Sequence, residues 1–374
     1  METFHQNAQA QLRKLCAALG LTGDQSRFET LLSWMFKGWG ELAIPEQVRF
    51  PSAIGDDHSP FEFSVAFGPN DVELRLLLEA QGEPPSLIAN RDAALAFNRR
   101  LAPMGVSFER FTKVHDLFMP NVPSSPFTLW HAVGMRAGRA ADFKIYLNPQ
   151  VRGPAEAWDT VTEALGRLGL SNVVPTLRKA MGRGSDVDLL AYFSLDLSEA
   201  PTSRVKIYFQ HLHATAAEVE RVFALAPTSQ PGDVLSFCRA VAGSIGPFSR
   251  KAVSTCLSFV QGNDQPTAAT FHLPIAHYVD RDSETVTRVQ SFMHSVGLSD
   301  APYTRALSAF APRALAAGAG VQSYASFRRE PNGIRVTAYL SPELFRARAT
   351  NVSHQRLKAA IAPSAQKLTG SGSR

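Results

Sequence analysis

Five segments of this chain read as β-hairpins, and they recur at an almost constant spacing. Each holds two alternating runs of β-branched, aromatic or other apolar residues around a turn of Gly, Pro, Asn or Asp. They cover residues 61–81, 127–149, 189–210, 254–279 and 321–342, so successive starts are 66, 62, 65 and 67 residues apart. Helix-period stretches fill the intervals: 90–118, then 154–168 with 173–181, 215–225 with 232–243, and 283–296 with 301–317. Pro154 and Pro231 stand where a helix would start. The unit is strand, strand, helix, helix, repeated about five times, with a further helical segment over 2–39 inside an N-terminal region of 1–50. Ten antiparallel strands with helices after every hairpin have one economical arrangement. The sheet closes into a barrel, which removes its edges, and the helices pack outside. The expected class is therefore α+β, a single barrel domain over 1–362 followed by a flexible polar tail over 363–374.

Ten strands enclose more space than eight, whose interior side chains just fill a barrel, so a lumen for small molecules is expected. Composition agrees with a globular chain: of 374 residues, 45% are hydrophobic and 19% charged, enough for a large core. No run approaches the roughly 20 apolar residues of a membrane-spanning helix. Met1-Glu2-Thr3-Phe4-His5 has no signal-peptide character, and Cys16, Cys238 and Cys256 are few and scattered. Both features suit a reduced, cytoplasmic protein, monomer or homodimer. The net charge of +5 comes from dispersed Lys and Arg, which an anionic small molecule explains as well as nucleic acid would.

Period two assigns the strand faces. Lys144, Tyr146 and Asn148 alternate with Phe143, Ile145 and Leu147. Arg204, Lys206, Tyr208 and Gln210 alternate with Val205, Ile207 and Phe209. Arg335, Thr337 and Tyr339 alternate with Ile334, Val336 and Ala338. Glu73 and Arg75 share a face, as do Thr270 and His272, and Glu62 and Ser64. A solvated outer face would account for any one of these strands. Three strands that place cations beside tyrosines, two with the same Lys-Ile-Tyr tripeptide and Glu73 as the one carboxylate among them, point inward instead. Arg supplies forked donors and Lys a point charge, the pair suited to a diphosphate. Tyrosine ring faces attract cations. Together they describe a place where an allylic C–O bond separates into carbocation and diphosphate, away from water. Glu62, between two phenylalanines, is either a surface carboxylate or a buried acceptor for an aromatic N–H.

The strings Asp56-Asp57-His58-Ser59-Pro60-Phe61-Glu62-Phe63-Ser64, Lys144-Ile145-Tyr146-Leu147-Asn148-Pro149, Arg204-Val205-Lys206-Ile207-Tyr208 and Tyr324-Ala325-Ser326-Phe327 resemble the dimethylallyltryptophan synthase type of indole prenyltransferase, in its bacterial branch, over residues 10–345. The resemblance implies the barrel of that family and transfer of a dimethylallyl group from its diphosphate to tryptophan or a related indole, in secondary metabolism. It implies that Glu62 holds the indole N–H, that Arg75, Lys144, Arg204 and Lys206 bind diphosphate, and that Tyr146, Tyr208, Tyr324 and Tyr339 shield the cation. Arg335 belongs with the basic set by its strand face. Asn148 and His272 stand where tyrosines are expected, which makes His272 a further diphosphate ligand. His131 lies near the position of a family lysine and is the candidate base. No Asp-Asp-x-x-Asp signature is present, so neither a metal ion nor any other cofactor is expected. Donor length would depend on the room near Trp130, Phe193 and Met135. Rival readings are a barrel that prenylates phenols, and a barrel that only carries a ligand.

Overall fold

A computed structural model describes residues 1–345; the short helix expected after Phe345 and the tail over 363–374 lie outside the described residues. The five hairpins are β1 (Phe61–Phe67) with β2 (Val72–Leu78), β3 (Leu129–Met135) with β4 (Asp142–Leu147), β5 (Asp188–Asp196) with β6 (Arg204–His211), β7 (Val253–Val260) with β8 (Ala268–Leu273), and β9 (Gln322–Glu330) with β10 (Gly333–Leu340). Every neighbouring pair is antiparallel and the sheet is a closed barrel. The closing seam joins the first and last strands, with Ser64 opposite Tyr339 and Val65 opposite Ala338. No strand is left as an edge, so every backbone donor in the wall of the lumen can find a ladder partner.

The helices occupy the intervals in the expected order. They are α1 (Phe4–Leu19), α2 (Gln25–Phe36), α3 (Leu87–Leu101), α4 (Glu109–Thr112), α5 (His115–Phe118), α6 (Ala157–Arg167), α7 (Val174–Ala180), α8 (Ala216–Phe223), α9 (Asp233–Phe237), α10 (Asp282–Ser295) and α11 (Ala301–Phe310). The stretch over 301–317 does not run to its expected end. Ala311 precedes Pro312, which disfavours helical geometry at the residue before it, and α11 stops at Phe310. Beyond α9 the chain continues as a π-turn over Cys238–Ala242 and stops at Gly243, whose φ of 68° is the left-handed region that favours glycine.

The outward faces of the strands are mostly apolar and meet this helical layer. Ile145, Leu147, Val205, Ile207, Phe209, Phe271 and Leu273 are all fully buried there. The N-terminal helices complete the ring. Thr3 and Gln6 form a reciprocal capping box that starts α1, and Phe4, Ala8, Leu12 and Leu15 form its buried stripe. Phe36 of α2 lies 5.4 Å from Phe61, and Phe310 of α11 lies 6.3 Å from Phe63. The outer face of β1 is therefore covered by helices from both ends of the described chain. The core is a sleeve around the barrel, and the space inside it is left to polar and aromatic side chains.

Two bulges break the strand period. Between Leu190 and Tyr192 the ladder shifts register against β6, with Ala191 as the extra residue. Between Ala338 and Leu340 it shifts again, and here Ser323 and Tyr324 together face the single residue Tyr339. Each bulge sits at the same end of the barrel and admits one more residue to the lumen than strict alternation would.

Candidate active site

The lumen is layered along the barrel axis. One end is basic. It is lined by Arg75 from β2, Lys144 from β4, Arg204 and Lys206 from β6, Arg328 from β9 and Arg335 from β10. The guanidinium groups are held by carboxylates: Arg75 by Glu73 at 2.5 Å, Arg204 by Asp196 at 2.7 Å, and Arg328 by Glu330. The two ammonium groups have no carboxylate within salt-bridge distance among the described residues, although both are buried. Burial pushes Lys144 down to about 8 against the pull of Glu73, with Arg75 and Arg204 adding to the fall. Burial, then Arg204 and Lys144, hold Lys206 well below the usual lysine range. Such an arrangement has more positive than negative charge. A polyanion placed among these groups would satisfy both lysines while the fixed arginines keep their geometry.

The middle layer is an arc of rings. Tyr146 and Tyr208 lie 5.8 Å apart by ring centroids, Tyr208 and His272 5.7 Å, His272 and Tyr339 6.0 Å, and Tyr339 and Tyr324 6.1 Å. The hydroxyls of Tyr146 and Tyr208 are 3.4 Å apart. Burial raises Tyr146, Tyr208 and Tyr339 above the usual phenol range, so all three stay neutral and present electron-rich faces.

The far end is aromatic and mostly apolar. Phe127 and Trp130 stack at 3.8 Å, and Tyr192 lies 5.5 Å from Trp130. Ile54 closes over them from the segment before β1, and Gln150 and Gln210 add polar contacts. Glu62 stands where this cavity meets the ring layer. It is 6% exposed and accepts a hydrogen bond from the Ser323 hydroxyl at 2.5 Å. Burial pushes its carboxyl up to about 8, opposed by Ser323 and by Lys251. Lys251 lies over the Tyr324 ring at 4.8 Å and pairs with Asp56 at 2.5 Å, which also bonds His277 at 2.7 Å.

Eleven of the twelve catalytic, diphosphate and shield candidates read from the sequence line this lumen: Glu62, Arg75, Lys144, Tyr146, Arg204, Lys206, Tyr208, His272, Tyr324, Arg335 and Tyr339. His131 does not. It pairs with Ile145 and Leu78 on the outward face of β3, where Nε2 lies 2.6 Å from Asn98 Oδ1 and Phe97 packs edge-on at 4.6 Å. It is a fully buried core histidine outside the cavity, and burial lowers its pKa to about 3. His272 falls in the ring layer and also borders the basic end. Arg335 is engaged by Glu330 at 3.0 Å and Asp71 at 2.6 Å, while its Nη1 is buried without a partner. Carboxylates are also less scarce than the second strands suggested, since Asp196 and Glu330 enter from first strands. Of the residues tied to donor length, Trp130 lines the lumen, while Phe193 and Met135 face the helices.

Sequence reasoning missed Tyr192, Arg328, Ser323 and Lys251. Tyr192 and Arg328 sit on inward faces that period two would have found on β5 and β9. Ser323 enters through a bulge, and Lys251 from a loop, where no periodicity applies. Among the described residues, no group of three or more His, Cys, Asp or Glu could hold a metal ion.

Comparison with known proteins agrees with this geometry. A family profile for tryptophan dimethylallyltransferase matches residues 39–306. The 6-dimethylallyltryptophan synthase from Micromonospora olivasterospora, solved in complex with DMASPP and Trp, is 31% identical. The match covers 92% of this chain and 99% of that one, with a TM-score of 0.87. The 5-dimethylallyltryptophan synthase from Streptomyces coelicolor is 29% identical over 92% of this chain and 99% of that one, with a TM-score of 0.83. AnaPT from Neosartorya fischeri, at 16% identity, 89% and 91% coverage and a TM-score of 0.75, shares the fold. The barrel, its lumen of cations and tyrosines, and these matches together make this chain a prenyltransferase of the tryptophan dimethylallyltransferase family.

Proposed function

We propose that this enzyme transfers a dimethylallyl group from dimethylallyl diphosphate to the ring of tryptophan or a closely related indole, without a metal ion. The layering of the lumen carries this reading: an anion-seeking end and an aromatic end are separated by neutral π faces. Lys144 and Lys206, with Arg75 and Arg204 fixed by their carboxylates, receive the diphosphate. They stabilise the negative charge that grows as the C–O bond breaks, and that pair of electrons leaves with the phosphate oxygen. Tyr146, Tyr208, Tyr339 and Tyr324 surround the allyl fragment and offer it ring faces in place of water. Trp130, Phe127 and Tyr192 hold the acceptor ring, and Glu62 accepts its N–H. That bond orients the ring and enriches its electrons for attack on the cation.

Charge neutralisation that a magnesium ion could supply is here assigned to lysine and arginine, so transfer should proceed in excess chelator. The test is incubation with dimethylallyl diphosphate, L-tryptophan and EDTA. The expected result is diphosphate release matched one-for-one by tryptophan carrying one added C5H8 unit. Prenylation of a simple phenol but of no indole would overturn the acceptor assignment. Loss of turnover on chelation, restored by magnesium, would overturn the metal-free mechanism.

A further inference from the structure

His131, the base expected from the sequence, lies outside the lumen. We propose that His272 takes the proton released when the alkylated ring regains aromaticity; this rests on the prenyl-transfer reading above. A group that reaches the newly bonded ring carbon must stand where the basic and aromatic cavities meet. Six side chains border both: Glu62, Leu77, Tyr146, Tyr208, His272 and Tyr339. Leu77 cannot titrate, and Glu62 is committed to the N–H. The three phenols keep their protons and are weak acceptors. His272 is the nitrogen base of the set.

Its surroundings suit the task. Nδ1 is buried without a hydrogen-bond partner, which leaves that nitrogen open to a proton. Tyr208 and Tyr339 flank the ring on either side. Burial, then Lys206 and Arg75, lower the imidazole to about 3, while the backbone carbonyls of Ser254 and Thr270 favour the protonated ring. Beyond burial, the opposition to protonation comes from the two cations that would face the diphosphate. Arrival of that anion offsets them, so the imidazole gains basicity once the donor is in place. The step balances. The C–H bond at the attacked carbon breaks, its electron pair returns to the ring, and the proton joins a nitrogen of His272. The imidazolium then passes it to the departing diphosphate.

The experiment compares wild type with His272→Phe and His272→Gln on protiated and ring-deuterated tryptophan. Both variants should lose roughly 10²-fold in kcat, with the KM of each substrate little changed, and both should show a primary isotope effect that wild type lacks. Variants that keep the wild-type kcat and show no isotope effect overturn the proposal. So does a raised KM for the donor at unchanged kcat, which would make His272 a diphosphate ligand instead. Should the variants fail to fold, NMR of wild-type enzyme carrying 15N-labelled histidine decides. The His272 ring should become more basic when inorganic diphosphate is added, and a titration indifferent to diphosphate contradicts the assignment. Failure of wild type to release diphosphate with tryptophan would instead refute the prenyl-transfer reading itself.

Discussion

Glu62 must meet two opposed demands. Burial favours its neutral acid, whereas a good acceptor for an indole N–H is the carboxylate. With its pKa pushed up to about 8, the productive form should grow in as pH rises. At saturating donor, kcat/KM for tryptophan should climb through about pH 8 and then level. In Glu62→Gln the activity should be far lower and this limb absent. A wild-type profile flat between pH 6 and 9 would contradict the assignment. The stability linkage has the opposite sign. Between the ordinary glutamate range and pH 8 the folded chain keeps a proton that the unfolded chain has lost, so Glu62 costs stability progressively as pH rises through that window. Thermal melts should therefore show Glu62→Gln gaining relative to wild type at pH 8 over pH 5. Lys206 makes a different prediction. It is buried and has no carboxylate partner among the described residues, and its replacement by Gln should remove a charge-assisted contact of about 1.5–3 kcal/mol. The KM for dimethylallyl diphosphate should rise roughly 10- to 100-fold, with that for tryptophan nearly unchanged; equal effects on both would argue against a diphosphate role.

The strand faces were readable because the backbone alternates with period two and the helical sleeve demands one apolar side. The same rule argues against His131. Trp130 and His131 are neighbours on one strand, so a lumen-facing Trp130 sends His131 outward. What alternation could not supply were the bulge residues and the loop residues, since a bulge resets the period and a loop has none. Ser323 reaches Glu62 only because β9 carries an extra residue there. The joint between α10 and β9 is of this kind too. Asp282 is fully buried and accepts from the backbone N–H groups of Val321 at 3.1 Å and Gln322 at 2.9 Å, and from Arg313 at 2.8 Å. Asp282→Ala leaves the backbone N–H groups of Val321 and Gln322 without their acceptor, while Arg313 keeps Glu343. It should cost about 1–3 kcal/mol for each unsatisfied donor, seen as a lower melting temperature, while turnover per folded molecule stays near wild type. An unchanged melting temperature would show that the joint contributes little.

At the scale of the molecule, the near-constant hairpin spacing was enough to give the barrel, because five covered hairpins with no free edge leave few other arrangements. The sequence did not show how the lumen divides along its axis. That division depends on where each strand crosses the closed sheet, and it places cations at one mouth, stacked aromatic rings at the other and phenols between. The direct test of this ordering is a crystal structure with dimethylallyl thiolodiphosphate and L-tryptophan bound together. The account predicts phosphate oxygens within hydrogen-bond distance of Lys144 and Lys206, the allyl carbons among Tyr146, Tyr208 and Tyr339, and the indole N–H on Glu62. Diphosphate seated instead beside Trp130 and Lys251, with the indole among the lysines, would contradict it.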